Sequence, residues 1–251
     1  MRNNILLLIA AVLALFSGCG TKEEQKPEKT IGLSTNIEGD STLYGLACDG
    51  CTDSVLVFLS GKGGDPVTYD IIDARKRQHI IGHPNVGDWV CLIVNGKDKK
   101  KADLVIDLDQ LKGEWVNLEN PVRRESAFAG SMPKMDEETK AALDSMLEQQ
   151  MKPVEIGFAL KRSYTAQPIG NQYSRNQSKE SPVIYPTPKR YTEWHIFNGK
   201  LVLTERRRNL DNSQAVEEKP KSDTVDILLM TRDTLRIRYK DGTEKGYYRK
   251  E

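Results

Sequence analysis

Short runs of β-branched and bulky apolar residues, separated by turn-forming residues, recur along most of the chain. In the first half, breaker segments such as SGKGGDP, GHPNVG and NGKDKKKAD lie between these runs. Each run is short enough for a single strand and too short for an ordinary helix. We therefore predict strands at residues 54–59, 67–72, 88–94 and 103–108.

The second half of the chain predicts an antiparallel meander. Leu235, Ile237 and Tyr239 alternate with three cationic residues, which is typical of a strand with one buried and one solvent-exposed face. Asn198-Gly199 and Asp241-Gly242 each separate two apolar runs and are predicted to form two-residue hairpin turns. The predicted strands are 154–160, 191–197, 200–205, 223–230, 233–239 and 244–250.

One segment, PKMDEETKAALDSMLEQQMKP, has helical periodicity instead. Asp136 can cap the helix, and Pro153 ends it. The sequence thus predicts a mainly β chain with one inserted α-helix. We place the junction between two β-domains in the segment DLDQLKGEWV, which gives domains at 31–109 and 111–251.

The N-terminus has the layout of a secretory signal. Arg2 precedes an apolar run at residues 5–16 that is too short to span a bilayer comfortably, and two small residues follow. The segment FSGC resembles the lipobox of bacterial lipoproteins, which implies that Cys19 becomes the lipidated first residue of the mature chain. We expect a signal peptide at 1–18 and a flexible tether at 19–30.

The same resemblance bears on location. Gly20 stands where an Asp would resemble an inner-membrane retention signal, so the outer membrane is favoured. The run KEE at residues 22–24 resembles the export signal of some surface-displayed lipoproteins. Periplasmic and cell-surface locations both stay open. No later segment is long and apolar enough to cross a membrane, so the predicted attachment is the lipid anchor alone.

Charge and motif content argue against nucleic-acid binding and catalysis. The chain has 37 Lys+Arg and 36 Asp+Glu, and loss of Arg2 with the signal leaves a neutral mature protein. Such a protein offers no overall field for nucleic acid. We find no G-x-S-x-G, P-loop, H-E-x-x-H or G-x-G-x-x-G motif in the sequence. We therefore expect a protein that is not an enzyme.

A C-x-x-C pair, Cys48 and Cys51, stands directly before the first predicted strand. In an oxidising compartment we expect these residues to form a disulfide, with Gly50 relieving the tight backbone. A redox-responsive thiol pair is one alternative. Another is a Cu or Zn site completed by His79 and His83, although the expected cofactor content is none.

Two segments resemble known β-modules. The segment IGHPNVGDWVCLIV places a turn before a buried strand in a manner similar to small OB-like barrels, which implies an OB-like domain at 31–109. Gly113-x-Trp115 resembles the opening motif of lipocalins. The resemblance implies that Gly113 allows a tight turn, that Trp115 plugs the closed end of a barrel, and that 111–251 is a lipocalin-like antiparallel barrel.

A Y-x-x-W strand, a turn and an L-x-L strand resemble small bacterial lipocalin-like lipoprotein domains. Tyr191, Trp194, Leu201 and Leu203 match this pattern. The proline- and serine-rich insertion at 167–190 would then border the open mouth of the barrel. The ligand-contacting candidates in this insertion are Tyr173, Ile184 and Tyr185.

A third resemblance concerns GLACDGCTDSVLVFL, which is similar to the C-x-x-C segment of the NlpE family of envelope-stress and copper-responsive lipoproteins. That family also combines a lipocalin-like and an OB-like module, but its motif belongs to the lipocalin-like one. The sequence predicts an outer-membrane lipoprotein that binds a small apolar or amphipathic ligand, or an envelope partner. The alternative is a metal- or redox-responsive envelope-stress sensor using Cys48 and Cys51.

Overall fold

The computed structural model describes residues 37–124, 136–170, 181–206 and 220–251. All of them belong to one compact unit, Thr35–Glu251. Within these ranges no helix has both the length and the apolar character needed to span a membrane.

Three sequence predictions fall outside the described residues: the signal peptide at 1–18, the tether at 19–30 and the ligand candidate Tyr173. The lipidated residue Cys19 is among them. They stay predictions.

The first sheet and its connections consist of β1 (Thr42–Ala47), β2 (Val55–Ser60), β3 (Val67–Asp70), α1 (Ile72–Lys76), β4 (Ile80–Ile81), β5 (Trp89–Val94) and β6 (Ala102–Asp107). The strand order is β3-β2-β1-β5-β6-β4, and the sheet is antiparallel except for the β4–β6 pair. A parallel bridge between Asp70 and Lys101 joins the outer strand β3 to the residue before β6, so the sheet curls towards closure.

Three strands of this sheet, β1, β3 and β4, differ from the sequence prediction, β4 because its two residues are too few to show a period. The strand predicted at 67–72 ends at Asp70, whose Oδ1 accepts a hydrogen bond from the Ile72 amide at 2.9 Å and so favours the start of α1. The sequence also did not predict β1, because Gly45 interrupts its apolar run. The glycine is required there, since a Cβ would overlap the Leu59 carbonyl of the neighbouring strand.

The second sheet and its connections consist of α2 (Leu108–Leu111), β7 (Gly113–Glu119), β9 (Val154–Leu160), a 3₁₀ turn (Arg162–Tyr164), β10 (Ala166–Ile169), β12 (Glu193–Phe197), β13 (Lys200–Glu205), β14 (Lys221–Met230), β15 (Thr234–Arg238) and β16 (Glu244–Arg249). The strands form an eight-stranded antiparallel barrel with the order β10-β9-β7-β16-β15-β14-β13-β12. A bridge between Thr165 and Glu193 links the two edges, so the barrel is nearly closed.

Three further elements lie in the segment between β7 and β12. The predicted helix is α3 (Glu137–Gln150), and the Asp136 side chain caps it by accepting a hydrogen bond from the Thr139 amide at 2.7 Å. Strands β8 (Val122–Arg123) and β11 (Val183–Ile184) form a separate pair. Strands β10 and β11 lie partly or wholly within the insertion that the sequence left without strands.

The two predicted hairpin turns have different outcomes. Asn198 and Gly199 form the two-residue turn, with φ of 48° and 75°. The two-residue turn predicted at Asp241-Gly242 is wrong. The Tyr239 amide donates to the Thr243 carbonyl at 2.8 Å, so these two residues pair across the strands and the loop between them consists of residues 240–242. The Asp241 carboxylate stabilises this longer loop by accepting a hydrogen bond from the Thr243 amide at 2.9 Å.

The Asn198–Gly199 turn contacts the first sheet. The Asp40 side chain accepts hydrogen bonds from the amides of both Asn198 and Thr42, each at 2.9 Å. The Tyr44 hydroxyl donates to the Ile196 carbonyl. Both sheets are therefore parts of one unit. The first sheet ends at Asp107 and the barrel begins at Gly113, on either side of α2.

Candidate functional site

Strand register determines which side chains enter the barrel. Directly paired residues on neighbouring antiparallel strands lie on the same face of the sheet. Trp115 pairs with Phe158 on one side and with Arg249 on the other, and Trp194 pairs with Leu203. Because these side chains are among the least exposed in the barrel, this face is the interior, with Arg249 only partly buried.

One end of the interior is occupied by Trp115. Its side chain is 0% exposed, and its indole Nε1 donates to the Leu111 carbonyl of α2 at 2.8 Å. The guanidinium of Arg249 lies over the indole, 4.2 Å from the ring centroid. Gly113 leaves room for this arginine, because a Cβ at Gly113 would overlap Arg249 Nη1.

Sequence reasoning missed Arg249. Besides covering Trp115, its guanidinium donates to the backbone carbonyls of Lys112 at 2.7 Å and Arg232 at 2.6 Å, and to that of Gln110. The available signal was the period of two in the last strand, which places Arg249 on the same face as Tyr247.

The middle of the barrel is filled. Five aliphatic side chains from three strands are 0% exposed and point inwards: Ile196, Leu201, Leu203, Leu235 and Ile237. Trp194, which was predicted as a barrel residue, belongs to this packing. Its Nε1 donates to the Lys161 carbonyl at 3.0 Å, and its ring centroid lies 5.0 Å from that of Tyr164.

A cavity of about 130 Å³ opens at the other end of the barrel. Asn117 and Glu119 line it from the end of β7, whereas Trp115 lies at the beginning of that strand. Phe158 forms part of the wall. Tyr191, Tyr239, Tyr247, Lys189 and Lys245 provide most of the remaining functional groups.

Aromatic rings form the deeper wall of the cavity. The Phe158 centroid lies 5.9 Å from that of Tyr191, edge to face, and 5.0 Å from that of Tyr247. The Tyr247 and Tyr239 hydroxyls are 3.3 Å apart. Burial and the neighbouring Tyr239 raise the pKa of Tyr247, so its hydroxyl keeps its proton and can donate a hydrogen bond.

Charged groups surround the opening of the cavity. Asp223 Oδ2 accepts from the Tyr191 hydroxyl at 2.5 Å and from Lys189 Nζ at 2.7 Å. Burial raises the pKa of Asp223, but these two hydrogen bonds outweigh it and hold the pKa below its ordinary value. The ammonium of Lys189 also lies 4.6 Å from the Tyr239 ring centroid.

A second ion pair stands on the adjacent strands, where Lys245 Nζ donates to Glu119 Oε1 at 2.6 Å. The Asn117 side-chain amide donates to the same oxygen at 3.2 Å. Burial raises the pKa of Glu119, but the hydrogen bonds from Lys245 and Asn117 and the charge of Lys245 together outweigh it, so the pKa lies below its ordinary value. The opening therefore carries fixed charges of both signs.

Two predicted ligand residues lie elsewhere. Tyr185 lines a separate, wider groove of about 620 Å³ together with Met146 and Pro153. Ile184 is 38% exposed in β11. Neither residue is among those that line the barrel cavity in the described part of the chain.

The cysteines of the C-x-x-C pair are free thiols in the structure, so the expected disulfide is not confirmed. Both contact the backbone of Val57: Cys48 donates its amide to the Val57 carbonyl at 2.8 Å, and Cys51 Sγ accepts from the Val57 amide at 3.3 Å. Gly50, with φ of 91°, provides the turn between them.

The histidines considered as metal ligands make other contacts. His79 Nδ1 lies 3.1 Å from the Asp103 carbonyl oxygen, and His83 donates its amide to Gln110 Oε1 at 2.8 Å. Among the residues that the structure describes, no three His, Cys, Asp or Glu side chains are arranged to hold a metal ion. The Cu or Zn site stays a prediction without an assembled ligand set.

Comparison with known proteins supports the barrel assignment. A lipocalin-like family model matches residues 186–250, which include strands β12 to β16 and the residues Tyr191 and Trp194. No curated protein and no solved structure shows a significant match to this chain. The second sheet is thus a lipocalin-like barrel, whereas the resemblances to OB-like modules and to the NlpE family are not confirmed.

Proposed function

We propose that the protein binds a small apolar or amphipathic molecule in the open end of its lipocalin-like barrel. The observation that carries this proposal is the cavity of about 130 Å³, which combines aromatic walls with a few convergent polar groups. Such a combination is typical of small-molecule sites. A lipocalin-like barrel is suited to ligand binding in general.

The lining is held in place before any ligand arrives. Asp223 fixes both Tyr191 and Lys189, and Glu119 fixes Lys245. A preorganised site loses less conformational entropy when the ligand binds. This arrangement supports a binding role for the cavity.

We also propose that the mature protein is attached to the outer membrane through a lipid on Cys19, facing the periplasm or the cell surface. Support comes from the signal-like run at 5–16 and from the FSGC junction. We further propose that the first sheet is an OB-like module. Its order β3-β2-β1-β5-β6, with the bridge between Asp70 and Lys101, supports this.

The binding proposal is tested with a chain that begins at residue 20 and so keeps the whole unit Thr35–Glu251. Saturation-transfer NMR against fragment-sized apolar and amphipathic compounds detects binding. Asn117→Phe fills the cavity, whereas Leu118→Phe adds the same ring on the outer face, where Leu118 is 60% exposed.

We expect binding by the wild-type chain and by Leu118→Phe, and its loss in Asn117→Phe. A thermal melt of each variant establishes that it is folded. If no compound binds, or if a bound compound is unaffected by Asn117→Phe in the folded protein, the barrel cavity is not the site.

A further inference from the structure

We infer that the barrel selects a single-ring aromatic anion, such as an aromatic carboxylate, rather than a lipid. This inference rests on the proposed function and specifies its ligand. Three features of the cavity carry it: its volume, its aromatic wall and the excess of hydrogen-bond donors at its opening.

The volume limits the ligand to about one ring. An engineered apolar cavity of roughly 150 Å³ holds one benzene molecule, and the barrel cavity has about 130 Å³. A long acyl chain would have to displace the aliphatic side chains that fill the middle of the barrel, including Leu203 and Ile237, both 0% exposed. Those side chains come from different strands, and removing such packing is costly.

The aromatic wall favours a flat ligand. Phe158, Tyr191 and Tyr247 meet edge-on or tilted, with centroids 5.0 and 5.9 Å apart. Aromatic rings prefer offset or edge-to-face contacts with one another, so an added ring extends the same packing. A flexible aliphatic fragment of equal volume would not gain these contacts.

The opening supplies more hydrogen-bond donors than acceptors. Lys189 and Lys245 line it, and each ammonium carries three N–H donors, of which the structure shows one bonded to a carboxylate. Glu119 is the carboxylate among the lining residues, and Lys245 and Asn117 already donate to it. A ligand carboxylate at this position would accept hydrogen bonds from both lysines and from a tyrosine hydroxyl.

The existing ion pairs do not prevent this. The side chains of Lys189 and Lys245 are 55% and 38% exposed, and exposed pairs of this kind contribute little stability. A bound anion can therefore share the ammonium groups with Asp223 and Glu119 at small cost. A ligand ammonium, in contrast, would meet two ammonium groups and two carboxylates that already accept hydrogen bonds from lysine, tyrosine and asparagine side chains.

The experiment compares four probes by isothermal titration and ligand-observed NMR, using the same chain beginning at residue 20: benzoate, benzyl alcohol, benzylamine and dodecanoate. Lys245→Met and Lys189→Met remove one donor each. Lys200→Met is the matched control, because Lys200 makes an equally short 2.6 Å pair with Asp226 and does not line the cavity.

We expect benzoate to bind more tightly than the other three probes. Each of the two cavity variants should weaken benzoate binding by about tenfold, the equivalent of one charge-assisted hydrogen bond, and Lys200→Met should not change it. Tighter binding of dodecanoate, benzyl alcohol or benzylamine, or benzoate binding insensitive to both lysines, would overturn the ligand class. The Asn117→Phe comparison then decides separately whether the barrel is a binding site at all.

Discussion

Replacement of Arg249 by Met is the sharpest test of how the barrel is held together. Met keeps an unbranched apolar stem but removes the guanidinium, which contacts the carbonyls of Gln110, Lys112 and Arg232 and covers the indole of Trp115. These contacts join the last strand to the beginning of the first barrel strand and to the β14–β15 turn.

The expected cost follows from those contacts. A carbonyl that loses its partner away from water costs about 1–3 kcal/mol, and the cation–π contact contributes roughly 1–2 kcal/mol. Arg249 is only partly buried, so water can replace part of what is lost. We therefore expect Arg249→Met to lower the free energy of unfolding by about 2–4 kcal/mol, less than the sum of its contacts.

Urea unfolding followed by far-UV circular dichroism measures this loss. Arg236→Met is the control, because Arg236 lies on the solvent-exposed outer face of the same barrel and makes an ion pair with Glu244 at 3.2 Å. Such pairs contribute about 0–1 kcal/mol. Trp115→Phe completes a double-mutant cycle with Arg249→Met. Equal losses for the two arginine variants, or strict additivity in the cycle, would refute the coupling between Trp115 and Arg249.

Three further predictions concern other parts of the fold. Burial raises the pKa of Asp107 to about 6, so its protonated form is favoured in the folded state. The contribution of Asp107 to stability should therefore fall as pH rises from about 4 to 6. Asp107→Asn should remove this contribution, up to about 3 kcal/mol, in urea titrations at several pH values, and the same pH dependence in both proteins would contradict the prediction. A Cβ at Gly157 would overlap the Trp115 carbonyl, so Gly157→Ala should lower the free energy of unfolding in urea by about 1–3 kcal/mol. Gly246→Ala is the control and should be nearly neutral, because a Cβ at Gly246 would lie 3.9 Å from its nearest neighbour. We still expect Cys48 and Cys51 to form a disulfide in protein exported to an oxidising compartment, which should raise the free energy of unfolding by about 1–2 kcal/mol. Thiol counting of the exported protein tests this prediction, and two reactive thiols at these positions would rule it out.

The sequence alone determined those elements whose cause is local. Strands β12 to β16 follow from period-two alternation and bulky apolar residues, the two-residue turn from Asn198-Gly199, and α3 from its Asp136 cap and helical stripe. Elements with weak local signals were missed. Strand β1 contains Gly45, which only the neighbouring carbonyl explains, and β10 lies in a segment that reads as a loop.

The candidate site depends on contacts between distant parts of the chain, and only the tertiary structure decided them. Gly113 and Trp115 could be recognised in the sequence, but Arg249 reaches them only because β16 pairs with β7. The lysines at the barrel opening were not predicted, because nothing in the local pattern near Lys189 or Lys245 indicates that the barrel closes around them. Cavity volume likewise depends on how side chains from several strands fill the same space. Periodicity specifies which face of a strand is apolar, whereas packing and register specify which side chains meet.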